Sequence, residues 1–358
     1  MEYRRLGHSG LIVSSVSLGT MQFGSGMNLG SLDQKATDEM VRYAIDRGIN
    51  FIDTADVYSR GESETLVGNA LKGIRHEIVL ATKVRLPMSD TYFNHSGATR
   101  VNIRREIEDS LRRLQTDYVD LYQVHGWDKE TPIEETLRTL DDLVREGKVR
   151  YIGLSNYYAW QAAVALGIQH EQHLERFVTA QLYYSLVGRG LENDWLDYAQ
   201  YADLGILVWS TLAGGYLSGK YKTGQAAPGG TRFGEAGKFV PFDEAKGEKV
   251  LEALRNVAKR RDATPARVAI AWTLSRPAIS SVIIAARTIP HLEDNISAVD
   301  LKLTAEDMAE LDLVSDPGIP YPRWMVLQLN EGEDPRPKVL HPEVYSNGGS
   351  WKDLRGRK

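Results

Sequence analysis

Cysteine is absent from the 358-residue sequence. That excludes disulfides, thiolate metal sites and cysteine nucleophiles. Long apolar runs are also missing, with none near the ~18 residues that a membrane-spanning helix requires. The N-terminus, MEYRRLGHSG, lacks the apolar core of a signal peptide. A cytoplasmic protein with no membrane partner is the expectation. Positive charge is not in excess: 43 Lys and Arg face 48 Asp and Glu, giving a net charge of −5. Such a balance provides no broad attraction for nucleic acid. Only the closing Leu-Arg-Gly-Arg-Lys is locally basic, and it reads as a solubilising tail. The remaining composition, 42% hydrophobic and 25% charged, is that of a globular chain able to bury a substantial core.

Short β-rich apolar runs recur along the chain: VSSVSLGT, INFIDTA, EIVLATKV, YVDLYQVH, RYIGLSN, FVTAQL, ILVWST and SVIIAA. Between them lie stretches of helical periodicity, such as Ile103, Ile107, Leu111, Leu114 and Ile133, Leu137, Leu140, Val144. Thr131-Pro132-Ile133-Glu134 reads as an N-cap, a first-turn proline and a capping-box acid, and Thr264-Pro265 repeats the start. Gly48, Gly73 and Gly147 stand where left-handed C-caps belong. Strands alternating with helices imply a parallel sheet buried on both faces. Eight such units predict a single (β/α)8 TIM barrel domain, its core over about 14–315. A hairpin turning at Gly7-His8-Ser9-Gly10 would plug its lower end. The insertion TGQAAPGGTRFGEAGKFVPF is too long for a passive connector and reads as a flap over a ligand. The tail 316–358, with Trp324 and Trp351, is expected to pack over the barrel.

Two nucleotide-like motifs compete for attention. Gly24-Ser-Gly26-Met-Asn-Leu-Gly30 follows the first strand with Asp53 downstream, but its third glycine is one residue late and the next helical stripe starts only near Asp33. AGGYLSGKYKTG places four residues between Gly214 and Gly219-Lys220, nearly a P-loop. Tyr221 replaces the Ser or Thr that would ligate magnesium, so the match keeps phosphate and loses the metal.

In a barrel, chemistry gathers at the C-terminal ends of the strands. Asp53 ends INFID, Lys83 ends IVLATK, His125 ends VDLYQVH, and Tyr58 follows Asp53 on the next loop. Each has a bland explanation. Asp53 or its neighbour Asp56 would serve as a turn acid, Tyr58 as a half-buried loop aromatic, Lys83 as a snorkelling rim cation, and His125 as a core histidine. Together they would bury charge beside apolar walls at several kcal/mol without benefit unless they act jointly. A phenol is a weak acid near neutrality, and an adjacent ammonium stabilises its phenolate. Asp53 would hold Lys83 charged, and His125 would hydrogen-bond a substrate carbonyl directed toward Tyr58. Lys83 as a Schiff-base nucleophile is the rival reading, opposed by the neighbouring Asp53.

At NFIDTADVYSRGESE, ATKV, DLYQVH, KVRYIGLSN, STLAGGYLSGKY and ARTIPHLEDN the sequence resembles the aldo-keto reductases, from the hairpin to about residue 315. The resemblance implies a catalytic set of Asp53, Tyr58, Lys83 and His125, with Tyr58 as general acid, in an oxidoreductase that transfers hydride from NADP(H) to an aldehyde or ketone. It implies no metal. Ser155, Asn156 and Gln181 would hold the nicotinamide carboxamide, and Trp209 would stack on the ring. Ser210, Thr211, Leu212, Ala213, Gly214 and Lys220 would contact the pyrophosphate, with Arg232 on the flap as a clamp. Arg287 would pair with the 2′-phosphate, with Ala285, His291, Asp294 and Asn295 around the adenosine. Thr20 and Met21, where a Trp often sits, would line the cofactor and substrate pocket, with Trp127 and Trp324 toward substrate. Ala285 stands where Gly is frequent and His291 where Gln is frequent, which leaves use of both NADPH and NADH open. A slow-turnover NADPH-binding regulator like the potassium-channel β-subunits is the alternative. Neither the carbonyl or alcohol substrate nor a homo-oligomeric state is legible.

Overall fold

The computed structural model describes residues 1–25, 32–220 and 240–331. Its strands are β1 (Tyr3–Arg5), β2 (Ile12–Ser14), β3 (Val16–Gly19), β4 (Phe51–Asp53), β5 (Val79–Val84), β6 (Val119–Val124), β7 (Val149–Ser155), β8 (Phe177–Tyr183), β9 (Gly205–Trp209) and β10 (Ile279–Ile284). The strands from β3 to β9 pair in chain order, and β10 joins β9 to β3, closing an all-parallel barrel. These are the eight apolar runs of the sequence. Their burial on both faces explains why they lack polar alternation: β5, for instance, is buried at every position. The (β/α)8 expectation is met.

The chain divides into two compact units, Met1–Asp316 and Pro317–Lys358. The barrel lies in the first. Of the second, the described part includes a helix, Arg323–Glu331. Most of the insertion expected to form a flap, Arg232 included, lies outside the described residues, as do Gly26, Gly30 and Trp351.

Helix signals in the sequence are mostly obeyed. Ile103, Ile107, Leu111 and Leu114 are buried along the helix Arg100–Leu114. Thr264 accepts from the Arg267 N–H at the start of Pro265–Leu274, and Gly48, Gly73 and Gly147 all have positive φ. Thr131 is a correction. Its hydroxyl donates to Asp128 Oδ2 at 2.6 Å, and the helix Ile133–Arg145 begins after Pro132 with no side-chain cap. Asp128 also accepts the Ala98 and Glu130 N–H groups, so a carboxylate gathering three donors outcompetes capping.

At the N-terminal ends of the strands the antiparallel β1–β2 hairpin closes the barrel. Leu6 and Val13 join Phe51, Val79, Ala81, Leu121, Val178 and Leu207 in a separate apolar cluster. Gly7 makes this possible: its φ is +56°, and a Cβ there would lie 2.3 Å from the Val178 carbonyl oxygen and 2.7 Å from the Gly205 nitrogen. The hairpin is therefore seated backbone to backbone, with the His8 N–H donating to the Asp203 carbonyl at 2.9 Å. Gly7→Val is expected to lower stability by about 2–4 kcal/mol through clash and left-handed strain. A urea-unfolding midpoint within error of wild type would show that the hairpin does not seal the barrel this tightly.

Candidate active site

At the C-terminal ends of β4, β5, β6 and β8 the inward-facing positions are polar. Lys83 on β5 is directly in register with Gln123 on β6. Its ammonium Nζ donates to Asp53 Oδ1 at 2.6 Å and to the Thr54 carbonyl at 2.7 Å, and stands 3.3 Å from the Tyr58 hydroxyl. Asp53 Oδ2 accepts from Gln181 Nε2 at 2.8 Å and from Gln123 Nε2 at 3.3 Å. Lys83 is 0% exposed and Asp53 1%. A buried ion pair survives only when its remaining valences are satisfied, and here two amides and a carbonyl do so. Burial by itself would depress the Lys83 ammonium; Asp53 and Tyr58 outweigh it and hold its pKa above the ordinary lysine value. A lysine held protonated is a poor Schiff-base nucleophile and a good partner for a phenolate.

Tyr58 opens a tight turn, Tyr58–Gly61, in which Ser59 and Arg60 both have positive φ. The turn is set from behind. Arg113 is pinned by Glu64 at 2.6 Å and Glu106 at 3.2 Å, and a Cβ on Gly61 would meet its Cδ at 2.6 Å. Asp56, the rival turn acid, is fully buried and has no contact with Lys83's ammonium; its Oδ1 accepts from the Val57 N–H at 2.6 Å. Desolvation, with Glu64 and Glu106 nearby, pushes its carboxyl well above the usual range. The two acids, three positions apart, thus end in opposite electrostatic settings.

His125 follows β6, its ring edge-on to Tyr58 with centroids 6.0 Å apart. Burial, then the charges of Lys83 and Arg85, hold its imidazole well below the usual histidine range, so it is neutral at pH 7. Its buried Nδ1 has no hydrogen-bond partner among the described residues. A neutral ring with an uncommitted nitrogen can donate or accept one hydrogen bond toward a ligand.

These groups border a cavity of about 1130 Å³. Tyr58, His125, Asp53, Thr20, Met21, Ser155, Asn156, Gln181 and Trp209 line one part of it, and Lys220, Ala285, Arg287, His291, Asp294 and Asn295 another. Lys83 does not line it and reaches the cavity through Tyr58. Ala213 and Trp127 are not among the lining residues; Ala213 is buried in its turn, and Trp127 packs edge-on to Tyr157 at 5.1 Å. Asn156, with φ +55°, accepts from Trp209 Nε1 at 3.1 Å and donates to the His125 carbonyl at 3.0 Å, so it fixes the indole beside the ring that neighbours Tyr58. Ser155 Oγ donates to the Gln181 carbonyl.

The loop after β9, read from its spacing as a phosphate contact, has several of its N–H groups engaged within the loop itself. Positive φ at Ser210, Ala213, Gly214 and Gly215 winds it into a 3-10 turn, Ala213–Ser218. The Gly214 N–H donates to Ser210 Oγ at 2.9 Å, and the Ala213, Gly215 and Leu217 N–H groups donate to carbonyls of the same loop. Thr211 Oγ1 pairs with Thr273 Oγ1 at 2.7 Å. Two cations border the cavity here: Lys220 Nζ lies 3.1 Å from His291 Nε2, and Arg287 lines the same region. Asn295 Nδ2 ties its helix to the Ala285 carbonyl at 3.3 Å, and Asp294 accepts from Thr264 Oγ1 at 2.7 Å.

Gln123 and Arg85 also belong to this site, and neither stood out as a candidate from its residue type. Their signal was positional: Gln123 sits two residues before His125 and Arg85 two after Lys83, so each shares the inward parity of its neighbour.

The model of the Aldo/keto reductase family matches residues 15–316. Over 329 residues the chain is 38% identical to "Uncharacterized oxidoreductase YrpG" of Bacillus subtilis, covering 89% of this chain and 97% of that protein. It is 33% identical to "Versiconal hemiacetal acetate reductase" of Aspergillus parasiticus, over 89% of this chain and 98% of the relative. To "Putative voltage-gated potassium channel subunit beta" of Schizosaccharomyces pombe it is 34% identical, over 87% and 92%.

Lys83→Met should destabilise the fold by about 3–5 kcal/mol, because Asp53 is left buried without its cation. Adding Asp53→Asn should recover most of that loss; additive effects of the two changes in urea unfolding would disprove the coupling. For His125 the folded pKa lies below 6.5, so the unfolded chain binds a proton that the folded chain refuses, and the stability it contributes is lost as pH falls through about 6.5. Between pH ~7 and ~5.5, wild type should therefore lose more stability than His125→Gln, by about 1 kcal/mol per pH unit. Parallel curves for the two proteins would contradict a depressed His125.

Proposed function

Because the chain belongs to the aldo/keto reductase family, oxidoreductases that act on carbonyls with nicotinamide cofactors, we propose that it reduces an aldehyde or ketone with NADPH and oxidises the matching alcohol in reverse. The observation carrying this reading is the Lys83 ammonium placed between Asp53, at 2.6 Å, and the Tyr58 hydroxyl, at 3.3 Å.

The cavity suits a dinucleotide. Its volume of about 1130 Å³ exceeds the ~300–1,000 Å³ of ordinary small-molecule pockets. Trp209, braced by Asn156, offers a flat face near Tyr58, and Lys220 and Arg287 offer cations to phosphates. A guanidinium at Arg287 matches a 2′-phosphate bidentately and gains little from a free ribose hydroxyl, which favours NADPH over NADH. Ser155 and Gln181, which line the cavity, would hold the nicotinamide carboxamide.

When bound, NADPH supplies the hydride. Tyr58 donates its hydroxyl proton to the carbonyl oxygen. Lys83, held charged by Asp53, stabilises the phenolate that results, and His125 donates one N–H to the same oxygen, orienting the carbonyl toward Tyr58 and sharing its developing charge. Proton donation of this type is worth ~10²–10⁴-fold in rate. Likeness to the fission-yeast protein named as a channel subunit supports a second reading, an NADPH-binding regulator with slow turnover.

NADPH oxidation measured with a panel of aldehydes, ketones and sugars separates the two. Tyr58→Phe should lower kcat by about 10²–10⁴-fold and leave NADPH binding unchanged. Wild-type rates in Tyr58→Phe would remove it as the acid, and tight NADPH binding with no carbonyl reduced by either protein would favour the regulator. Arg287→Met should reduce the preference for NADPH over NADH by at least about tenfold, the worth of one charge-assisted contact.

A further inference from the structure

Arg85 lines the cavity beside His125, and the proposed chemistry gives it no part. Its backbone is strained: φ is +131°, a value that side-chain-bearing residues rarely adopt. Such strain is retained where the surroundings impose it, and it collects at ligand clamps. The side chain is half-buried, yet among the described residues it has no carboxylate within ion-pair distance. Its single hydrogen bond runs from Nη2 to the Trp127 carbonyl at 3.2 Å, and its buried Nε has no partner. Asp128 is the nearby acid, but its oxygens are taken by the Ala98 and Glu130 N–H groups and the Thr131 hydroxyl.

The surrounding charge makes this cation conspicuous. Lys83 is neutralised by Asp53 at 2.6 Å, and Lys220 and Arg287 lie in the part of the cavity assigned to cofactor phosphates. At the reacting end Arg85 is therefore left, among the described residues, as a positive charge with no carboxylate in ion-pair contact, held in one place by the Trp127 carbonyl. A half-buried cation with no acid in contact gains most from a ligand that supplies the anion. A planar guanidinium with free N–H groups matches a carboxylate.

We propose that Arg85 is a specificity-determining residue that binds an anionic group of the substrate, so that the preferred substrates are aldehydes or ketones carrying a carboxylate. This rests on the carbonyl-reductase reading of the site. Trp127 acquires an indirect place in it: instead of touching substrate with its ring, it holds Arg85 through its main chain.

The probes are 4-carboxybenzaldehyde and its neutral counterpart methyl 4-formylbenzoate. With NADPH, kcat/KM should favour the acid by about 10- to 100-fold, the range of a charge-assisted pair. In Arg85→Gln that ratio should fall close to unity, chiefly through KM, while Arg85→Lys should retain part of it. A purely structural role for Arg85 would slow both probes alike and leave the ratio intact. Turnover of both probes with no preference, or a preference unchanged in Arg85→Gln, overturns the inference and leaves carbonyl reduction standing. Binding is read independently of turnover, by tryptophan fluorescence of the protein saturated with NADP⁺. There the acid should bind wild type about 10-fold or more tighter than Arg85→Gln. Equal affinities overturn the inference even if neither aldehyde is ever reduced, a result that would separately count against the carbonyl-reductase reading.

Discussion

The buried pair Lys83–Asp53 is the constraint on which the rest of the site depends. Two opposite charges removed from water lose several kcal/mol each in hydration, and their attraction restores this only when every remaining valence is met. The barrel meets them with groups from separate strands and loops: Gln123 and Gln181 for the carboxylate, the Thr54 carbonyl and Tyr58 hydroxyl for the ammonium. No single segment supplies all of these. The pair can exist only after β4, β5, β6 and β8 have closed, so charge satisfaction and barrel closure stabilise each other.

From that pair outward, the cavity is ordered by charge. Next to the pair stands a neutral imidazole, then the Arg85 cation, and elsewhere along the wall Lys220, Arg287 and His291. Burial, then the charge of Lys220, lowers the His291 pKa, so the positive charge in that region comes from Lys and Arg. The β9 loop contributes shape more than hydrogen bonds: its own carbonyls and Ser210 take up the inner N–H groups.

Much of this was legible beforehand. Apolar runs without alternation identified strands buried on both faces, and their number identified a closed barrel. Asp53, Lys83 and His125 at strand ends pointed to one rim because parity and barrel geometry put them there. Thr131 shows where local reading stops: its position suits a cap, yet Asp128 draws its hydroxyl elsewhere. Asp53 and Asp56 make the same point for chemistry. Nothing local separates two acids in DTAD; Asp53 meets Lys83 across the sheet, whereas Asp56 turns toward Glu64 and Glu106.

The sequence by itself determined the periodicities, the cap at Thr264, the glycines that allow left-handed turns, and the inventory of ionisable groups at strand ends. These are local properties, fixed by sterics and by hydrogen bonds within a few residues. Tertiary structure alone decided which groups became partners and what charge each carries. Lys83 above its ordinary pKa, His125 and Asp56 displaced toward their neutral forms, and Arg85 without an acid in contact among the described residues are outcomes of burial and of neighbours contributed by other strands and helices. Desolvation and Coulomb interaction depend on distances that exist only once the barrel has closed.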